Sequence, residues 1–253
     1  WFSPGDCMKV VLLTTDTLHH LYFSAMLSET DCLSGIVLEA PPRGPTFSTF
    51  HPFEVVRDEY EKEYFFKEDI PKFSTLTQTH TTSSVNDLVT QGWISQIRPE
   101  LIIVFGTRRL LPETIVIPSQ ACLNLHGGNP EKYRGLDSHY WTIYHSDFEN
   151  LITTLHHVDL NYDSGPIVCS EAIEISQNMD IHQLRAANTE SCLRLFTETL
   201  AILGDGRDIP SAPQGEEGRY YSAMPSALKS DCQKKFCSYT QRRDCARREI
   251  DRI

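Results

Sequence analysis

No stretch of this chain approaches the ~20 consecutive apolar residues that a membrane-crossing helix needs, so a spanning role is not expected. The opening "WFSPGDC" lacks the basic segment and following apolar segment of a secretory leader. The first methionine is Met8, so the seven residues before it read as an added or truncated end, and a cytoplasmic location is the expectation. Positive charge is also scarce. Lys and Arg number 23 against 34 Asp and Glu, a formal charge of −11. Phosphate backbones and anionic membranes are held through an excess of Lys and Arg, so neither a nucleic acid nor a membrane is the expected partner. The eight cysteines, at 7, 32, 122, 169, 192, 232, 237 and 245, form no C-x-x-C pair and no ligand-spaced cluster with histidine. A disulfide-framed domain would be shorter and denser in Cys, and a zinc site would bring tighter pairs. They read as reduced thiols, with Cys122 packed in a strand, and no metal is expected. Finally, neither G-x-G-x-x-G nor G-x-x-x-x-G-K-[ST] follows the first apolar run, where "TTDTLHH" stands instead. A typical dinucleotide or P-loop enzyme is thereby excluded.

What is present suits one large domain, or a domain with a modest appendage, long enough to bury a core without crosslinks. "MKVVLLTT" (8–15), "LSGIVLEA" (33–40), "ELIIVFG" (100–106) and "ACLNLH" (121–126) are short apolar runs of the kind buried on both faces of a parallel sheet. Between the first two, residues 15–27 carry Leu18, Tyr22, Ala25 and Met26 at helical spacing, with Thr15 or Asp16 as the N-cap. Strand, helix and strand at this pitch make a βαβ unit. "PPRGPTFSTF" (41–50) is a Pro-rich break, and residues 54–70 and 85–97 predict helices. From 151 the pattern changes. Residues 151–160 and 165–175 predict two antiparallel strands around "NYDSG", and 179–203 a long amphipathic helix ended by Gly204. The fold class is α/β: a Rossmann-like, mostly parallel sheet with helices on both faces, spanning 8–205, and a C-terminal extension over 206–253. From Lys229 onward eight Lys/Arg face four Asp/Glu. That tail reads as a solvated, partly helical end or, alternatively, as a patch for a phosphate-bearing ligand.

"ACLNLHGG" concentrates the chemistry. Side chains at i and i+2 of a strand point to one side, so Asn124 and His126 face one space, and Gly127 and Gly128 let the backbone turn sharply after them. In open α/β sheets, ligands lie at the carboxyl ends of strands, which directs attention to Gly106–Leu111, Asn124–Gly128 and the loop near Asp163. An Asn amide can donate to a developing oxyanion. A His can accept a proton, or face that oxyanion as a cation. An Asp can orient the His, favour its charged form or relay a proton. No Ser or Cys stands beside them as a nucleophile, so the set favours direct attack by an external nucleophile on a carbonyl. From spacing alone, a structural His and an ordinary "DSG" turn are the commoner readings.

The 70 residues from Pro99 to Val168 resemble the catalytic core of the 10-formyltetrahydrofolate-dependent formyltransferases. The motifs are Leu110-Leu111-Pro112, Asn124-Leu125-His126, Lys132-Tyr133-Arg134-Gly135, and His156 followed by Asp163-Ser164-Gly165. The resemblance implies Asn124, His126 and Asp163 as the catalytic set, with His156 in support. It implies a folate formyl donor held at Arg108, Leu110, Leu111, Val158, Asp159 and Asp163, largely through backbone groups. The family's Ser-Leu-Leu-Pro turn is replaced by "GGNPE" (127–131), which leaves acceptor recognition at Gly127 and Gly128 open.

The run "HHVDLNYDSG" is most like the sugar N-formyltransferases, which act on nucleotide-linked amino sugars. In "GRYYSAMPSALK", Tyr220 and Tyr221 would suit stacking on a nucleotide base, the alternative being packing on the surface. A methionyl-tRNA formyltransferase would carry a further barrel domain and a basic surface; a glycinamide ribonucleotide enzyme would open on a Gly-rich loop. Hydrolysis of the donor, another small amine or aminoacyl acceptor, and a non-catalytic folate-binding module are the competing readings. The expected partners are therefore small molecules, a folate donor and an amine acceptor, with a homodimer left open.

Overall fold

The computed structural model describes residues 8–40, 44–67 and 69–250, with side chains up to 242. The expectations for residues 1–7, for the first three positions of the Pro-rich break, and for the Cys7 and Cys245 thiols lie outside that description.

Strands β1 (Val10–Thr14), β2 (Leu33–Glu39), β3 (Thr79–Thr82), β4 (Leu101–Phe105) and β5 (Ala121–His126) run parallel in the order β3-β2-β1-β4-β5. Antiparallel β7 (Ile152–His157) and β8 (Ile167–Ala172) then extend the sheet beyond β5. The strand order reverses between β1 and β4, so the crevice beyond their carboxyl ends is the place for a ligand. Alternation builds the two faces. Val10, Leu12, Leu101, Ile103 and Leu123 pack with Phe23 of α1 (Leu18–Ser28) and Leu195 and Phe196 of α7 (Leu184–Gly204). Val11, Leu13, Ile102, Val104 and Cys122 pack with Ile94 of α4 (Leu88–Ile97). Each large apolar side chain so buried contributes about 1.5–3 kcal/mol. Burial pushes the Cys122 thiol well up, which makes it a packing residue rather than a nucleophile.

The elements depart from the sequence reading mainly at their ends. Helix α1 starts at Leu18 after Thr17, not after Thr15 or Asp16, because the Thr15 and Thr17 hydroxyls bond the rings of His20 and His19 instead of capping the helix. Helix α2 (Phe53–Phe66) stops where Lys67 takes φ +55°, short of residue 70. Helix α4 waits for Asp87, whose carboxylate accepts from the Thr90 N–H. The 179–203 helix divides into a 3-10 turn, Ile181–Gln183, opened by an Asp180/Gln183 capping box, and then α7.

Several elements carry no clear sequence signal: the polar edge strand β3, short helices α3 (Phe73–Leu76) and α5 (Pro112–Ile115), β6 (Tyr133–Gly135), α6 (Ser138–Tyr144) and β9 (Arg219–Tyr221), while α8 (Ser226–Ile250) is the helix expected in the basic tail, longer than the sequence suggested. Two of them bring the C-terminal segment onto the body. β9 pairs with β6 in a separate two-stranded sheet. Helix α8 buries Cys232 and Phe236 in a third core with Ile143 of α6, Phe53 and Leu184. Lys229 is buried too, donating to Glu54 and to the Thr49 carbonyl, so this basic residue closes a core and is not part of a solvated face.

Phe236→Ala should therefore cost about 3–5 kcal/mol in denaturant unfolding. A loss below about 1 kcal/mol would mean that α8 is not part of the cooperative core.

Candidate active site

β5 ends at His126, and the pleat sets Asn124 and His126 on one side while Leu123 and Leu125 enter the core. Antiparallel pairing with β7 places His156 directly opposite Asn124. The β7–β8 connection then brings in Asp163, held at φ +50° in the left-handed region. Its carbonyl, with that of Gly165, accepts from the Gln214 side-chain amide at 2.8 and 2.9 Å. Gln214 in turn accepts from Arg134 at 2.7 Å. A residue of the C-terminal segment thus fixes the loop that presents Asp163, and nothing in the sequence pattern singles it out.

The three predicted side chains converge. Asn124 Nδ2 donates to His156 Nε2 at 3.0 Å and to Asp163 Oδ1 at 3.3 Å. His126 Nδ1 lies 3.5 Å from the same Asp163 oxygen, and so does His156 Nε2. The second carboxylate oxygen accepts the Gly135 N–H at 2.7 Å. Gly135 is the residue this turn requires: its φ is +92°, and a Cβ there would stand 2.3 Å from the Tyr221 carbonyl. Burial pushes the Asp163 carboxyl up, but the facing His126 charge, the His156 hydrogen bond and charge, and the Gly135 N–H outweigh it. The net effect holds Asp163 well below the usual carboxylate range, ionised.

Ring directions follow from the partners. In the neutral ring, His156 Nδ1–H donates to the His157 carbonyl at 2.8 Å and Nε2 accepts from Asn124, whereas the charged ring turns Nε2–H to Asp163. His126 Nε2–H donates to the Tyr133 carbonyl at 2.8 Å, which turns Nδ1 toward Asp163.

Two spaces meet here. A narrow slot is lined by Val104, Arg108, Leu110, Val158, Asp159 and His156, together with Thr107, Asn124, Tyr162 and Asp163. A larger cleft of about 390 Å³ shares those last four residues and adds His126, Gly127 and Tyr220. Such a volume suits a small-molecule group. Of the expected donor residues, Arg108, Leu110, Val158, Asp159 and Asp163 line the slot; Leu111 does not, its N–H donating to Asn86 Oδ1 at 2.8 Å. The Arg108 guanidinium turns away to Glu39 and to the Ser83 carbonyl. Of the expected acceptor residues, Gly127 and Tyr220 line the cleft, and Gly128 and Tyr221 do not. A Cβ on Gly128 would sit 2.8 Å from that of Ser138, so this glycine serves close packing. Tyr221 stacks on Tyr133, and its hydroxyl lies 3.2 Å from His145 Nε2. Thr107 and Tyr162, which lie where slot and cleft join, fall within the strand-end segments that the sequence singled out but were given no role there. Among the described residues, no group of three or more His, Cys, Asp or Glu is placed to hold a metal ion. No helix among them is long and apolar enough to cross a membrane.

Because the folded-state pKa of Asp163 is depressed, its charge contributes stability that is full above the unfolded value of about 4 and lost as pH falls toward the folded value. Asp163→Asn should therefore destabilise the protein at pH 7, with the gap to the parent narrowing below about pH 4 in pH-dependent unfolding. A gap that is constant from pH 7 to pH 2 would contradict the depressed value.

Residues 56–200, over half the chain, match the family model described as formyl transferase. Methionyl-tRNA formyltransferase of Trichlorobacter lovleyi is 30% identical over 128 residues, which are 50% of this chain and 40% of that protein. A sugar N-formyltransferase from Shewanella superposes with a TM-score of 0.59 at 15% identity, covering 85% of this chain and 77% of that one. HypX from Aquifex aeolicus in complex with tetrahydrofolic acid gives 0.53 at 16%, covering 93% of this chain and 34% of that one. The two structures share the fold, and the matched stretch of sequence holds Asn124, His126 and Asp163. The chain belongs to the formyl transferase family.

Proposed function

We propose that this protein moves the formyl group of 10-formyltetrahydrofolate directly to a primary amine, the amino group of a nucleotide-linked amino sugar. The observation that carries this reading is the junction of slot and cleft at Asn124 and Asp163. A donor in one space and an acceptor in the other would meet only there. The slot fits a flat, partly apolar ring system: Val104, Leu110 and Val158 supply apolar contact, and the 107–110 and 158–163 loops supply main-chain groups. Residues 8–205 would carry the reaction, with 206–253 closing the site through Gln214 and Tyr220.

The donor supplies a formyl carbon on a nitrogen able to leave. The chain's residues then have three tasks. A neutral His126, with its hydrogen on Nε2, points the Nδ1 lone pair at the Asp163 side of the site. A proton taken there from the attacking amine is met by the carboxylate, so a lone-pair repulsion becomes a charge-assisted contact. The same proton can then pass to the departing nitrogen, which leaves the protein unchanged. Asn124 enters with both amide hydrogens engaged, at 3.0 Å to His156 and 3.3 Å to Asp163. An oxygen gaining negative charge at the junction competes for the longer bond, while the bond to His156 holds the amide in place. One such donor is worth about 3–4 kcal/mol. Asp163 stays ionised throughout.

The sugar acceptor is supported by the sugar N-formyltransferases among the structural neighbours and by the size of the cleft. An aminoacyl acceptor is the second reading, favoured by the methionyl-tRNA formyltransferase relatives.

Donor consumption measured with water alone, with nucleotide-linked amino sugars and with aminoacyl acceptors separates these readings. Loss only with the sugars is expected; loss in water alone would make the protein a hydrolase. His126→Ala should keep the fold and lower turnover by about 10²-fold or more, and a near-normal rate would remove His126 from the mechanism. Asp163→Asn should lower turnover far more than donor affinity, whereas equal losses would make Asp163 a binding residue.

A further inference from the structure

The cleft has a second polar wall, away from the His126–Asp163 pair, which the formyl-transfer chemistry does not use. Helix α2 brings Arg57 to it and α7 brings Arg185 and Asn188. The carboxylates that steady these groups do not line the cleft. Arg57 donates through Nε to Asp58 Oδ1 at 3.0 Å, and its Nη2 lies 2.9 Å from the same oxygen. Arg185 grips the fully buried Glu61 with Nε and Nη2, both at 2.6 Å, and its Nη2 also reaches Asp58 at 2.9 Å. These contacts leave Arg185 Nη1 without an acceptor among the described residues. Asn188 Oδ1 accepts from the Thr153 hydroxyl at 2.6 Å, which turns its Nδ2 donor outward. Asp137 is the acid on this side, but its Oδ2 accepts the Met224 N–H at 2.8 Å and lies 4.0 Å from Lys229. His19 shares the wall. Burial lowers its pKa most, followed by His20, Arg185 and Arg57, so the fields of both guanidiniums reach this part of the cleft. Arg57 also shares a hydrogen bond with the Tyr140 hydroxyl, which lines the cleft. Backed by the buried Glu61 and the half-exposed Asp58, the two guanidiniums and the Asn188 amide are preorganised for an oxyanion.

We propose that this wall binds an anionic group of the acceptor, a phosphate or a carboxylate, through Arg57, Arg185 Nη1 and Asn188 Nδ2. The inference rests on reading the cleft as the acceptor's side of the site. It adds where in the cleft the acceptor's negative charge is held, away from its amine.

Pyrophosphate and malonate, titrated separately by calorimetry into the full chain without donor or amine, test it. The absence of formyl transfer would therefore leave this measurement standing. Saturable binding is expected, tighter for pyrophosphate if the group is a phosphate and for malonate if it is a carboxylate. Arg57→Gln should weaken binding by about tenfold or more. Asp58→Asn, at a half-exposed position whose loss should not unfold the chain, should strengthen it several-fold by removing the competing carboxylate. No saturable binding of either anion overturns the proposal. So does an Asp58→Asn affinity that is unchanged or weaker, or an Arg57→Gln affinity equal to the parent's.

Discussion

The carboxylate of Asp163 joins segments that are far apart in the chain. One oxygen faces Asn124, His126 and His156, and the other takes the Gly135 N–H. A buried carboxylate is costly unless its lone pairs are met, and here β5, β7 and the turn after β6 meet them. The residue itself sits at φ +50°, a conformation a non-glycine residue adopts only when its surroundings hold it. Gln214 supplies part of that hold through two carbonyls of the loop. Asn124's amide direction and the contact made by His126 Nδ1 depend on the carboxylate in turn. Without it, both would lose the partner that orients them toward the junction of slot and cleft.

Much of this was legible in the sequence, for physical reasons. The strands buried on both faces announce themselves as short β-branched runs, so β1, β2, β4 and β5 could be placed closely. The i, i+2 spacing of Asn124 and His126 on a strand end gave their shared direction, and "DSG" after a strand pattern gave the loop of Asp163. Strand β3, "THTT", is polar and lies at the sheet edge, where no apolar signal is required. Strands β6 and β9 are three residues each and exist only by pairing with one another, a long-range event that local pattern cannot carry. The basic composition of α8 hid Cys232 and Phe236, which are fully buried. Tyr220 and Tyr221 looked equivalent as neighbours; alternation sends one to the cleft and the other onto Tyr133. Thr107, Gln214 and the Arg57–Arg185 wall needed the tertiary structure, since no spacing rule links them.

Charge shows the same divide between composition and placement. A chain of net −11 has a cleft with two guanidiniums on one wall, because the buried Glu61 and the half-exposed Asp58 stand behind the arginines and outside the cleft lining. Glu39 with Arg108, Glu61 with Arg185 and Glu54 with Lys229 are three pairs in which one member is nearly or fully buried. Breaking such a pair by removing one partner typically costs about 3–5 kcal/mol, so these residues are fixtures of the walls around the site. Net charge therefore says little about which end of an acceptor the cleft prefers.

The account turns on the direction of the His126 ring and the atom at which it receives a proton. Nitrogen-15 NMR of the imidazole in the full chain reads both. A neutral form with hydrogen on Nε2, and Nδ1 as the atom that takes the proton, is the predicted result. A neutral form with hydrogen on Nδ1 would contradict it.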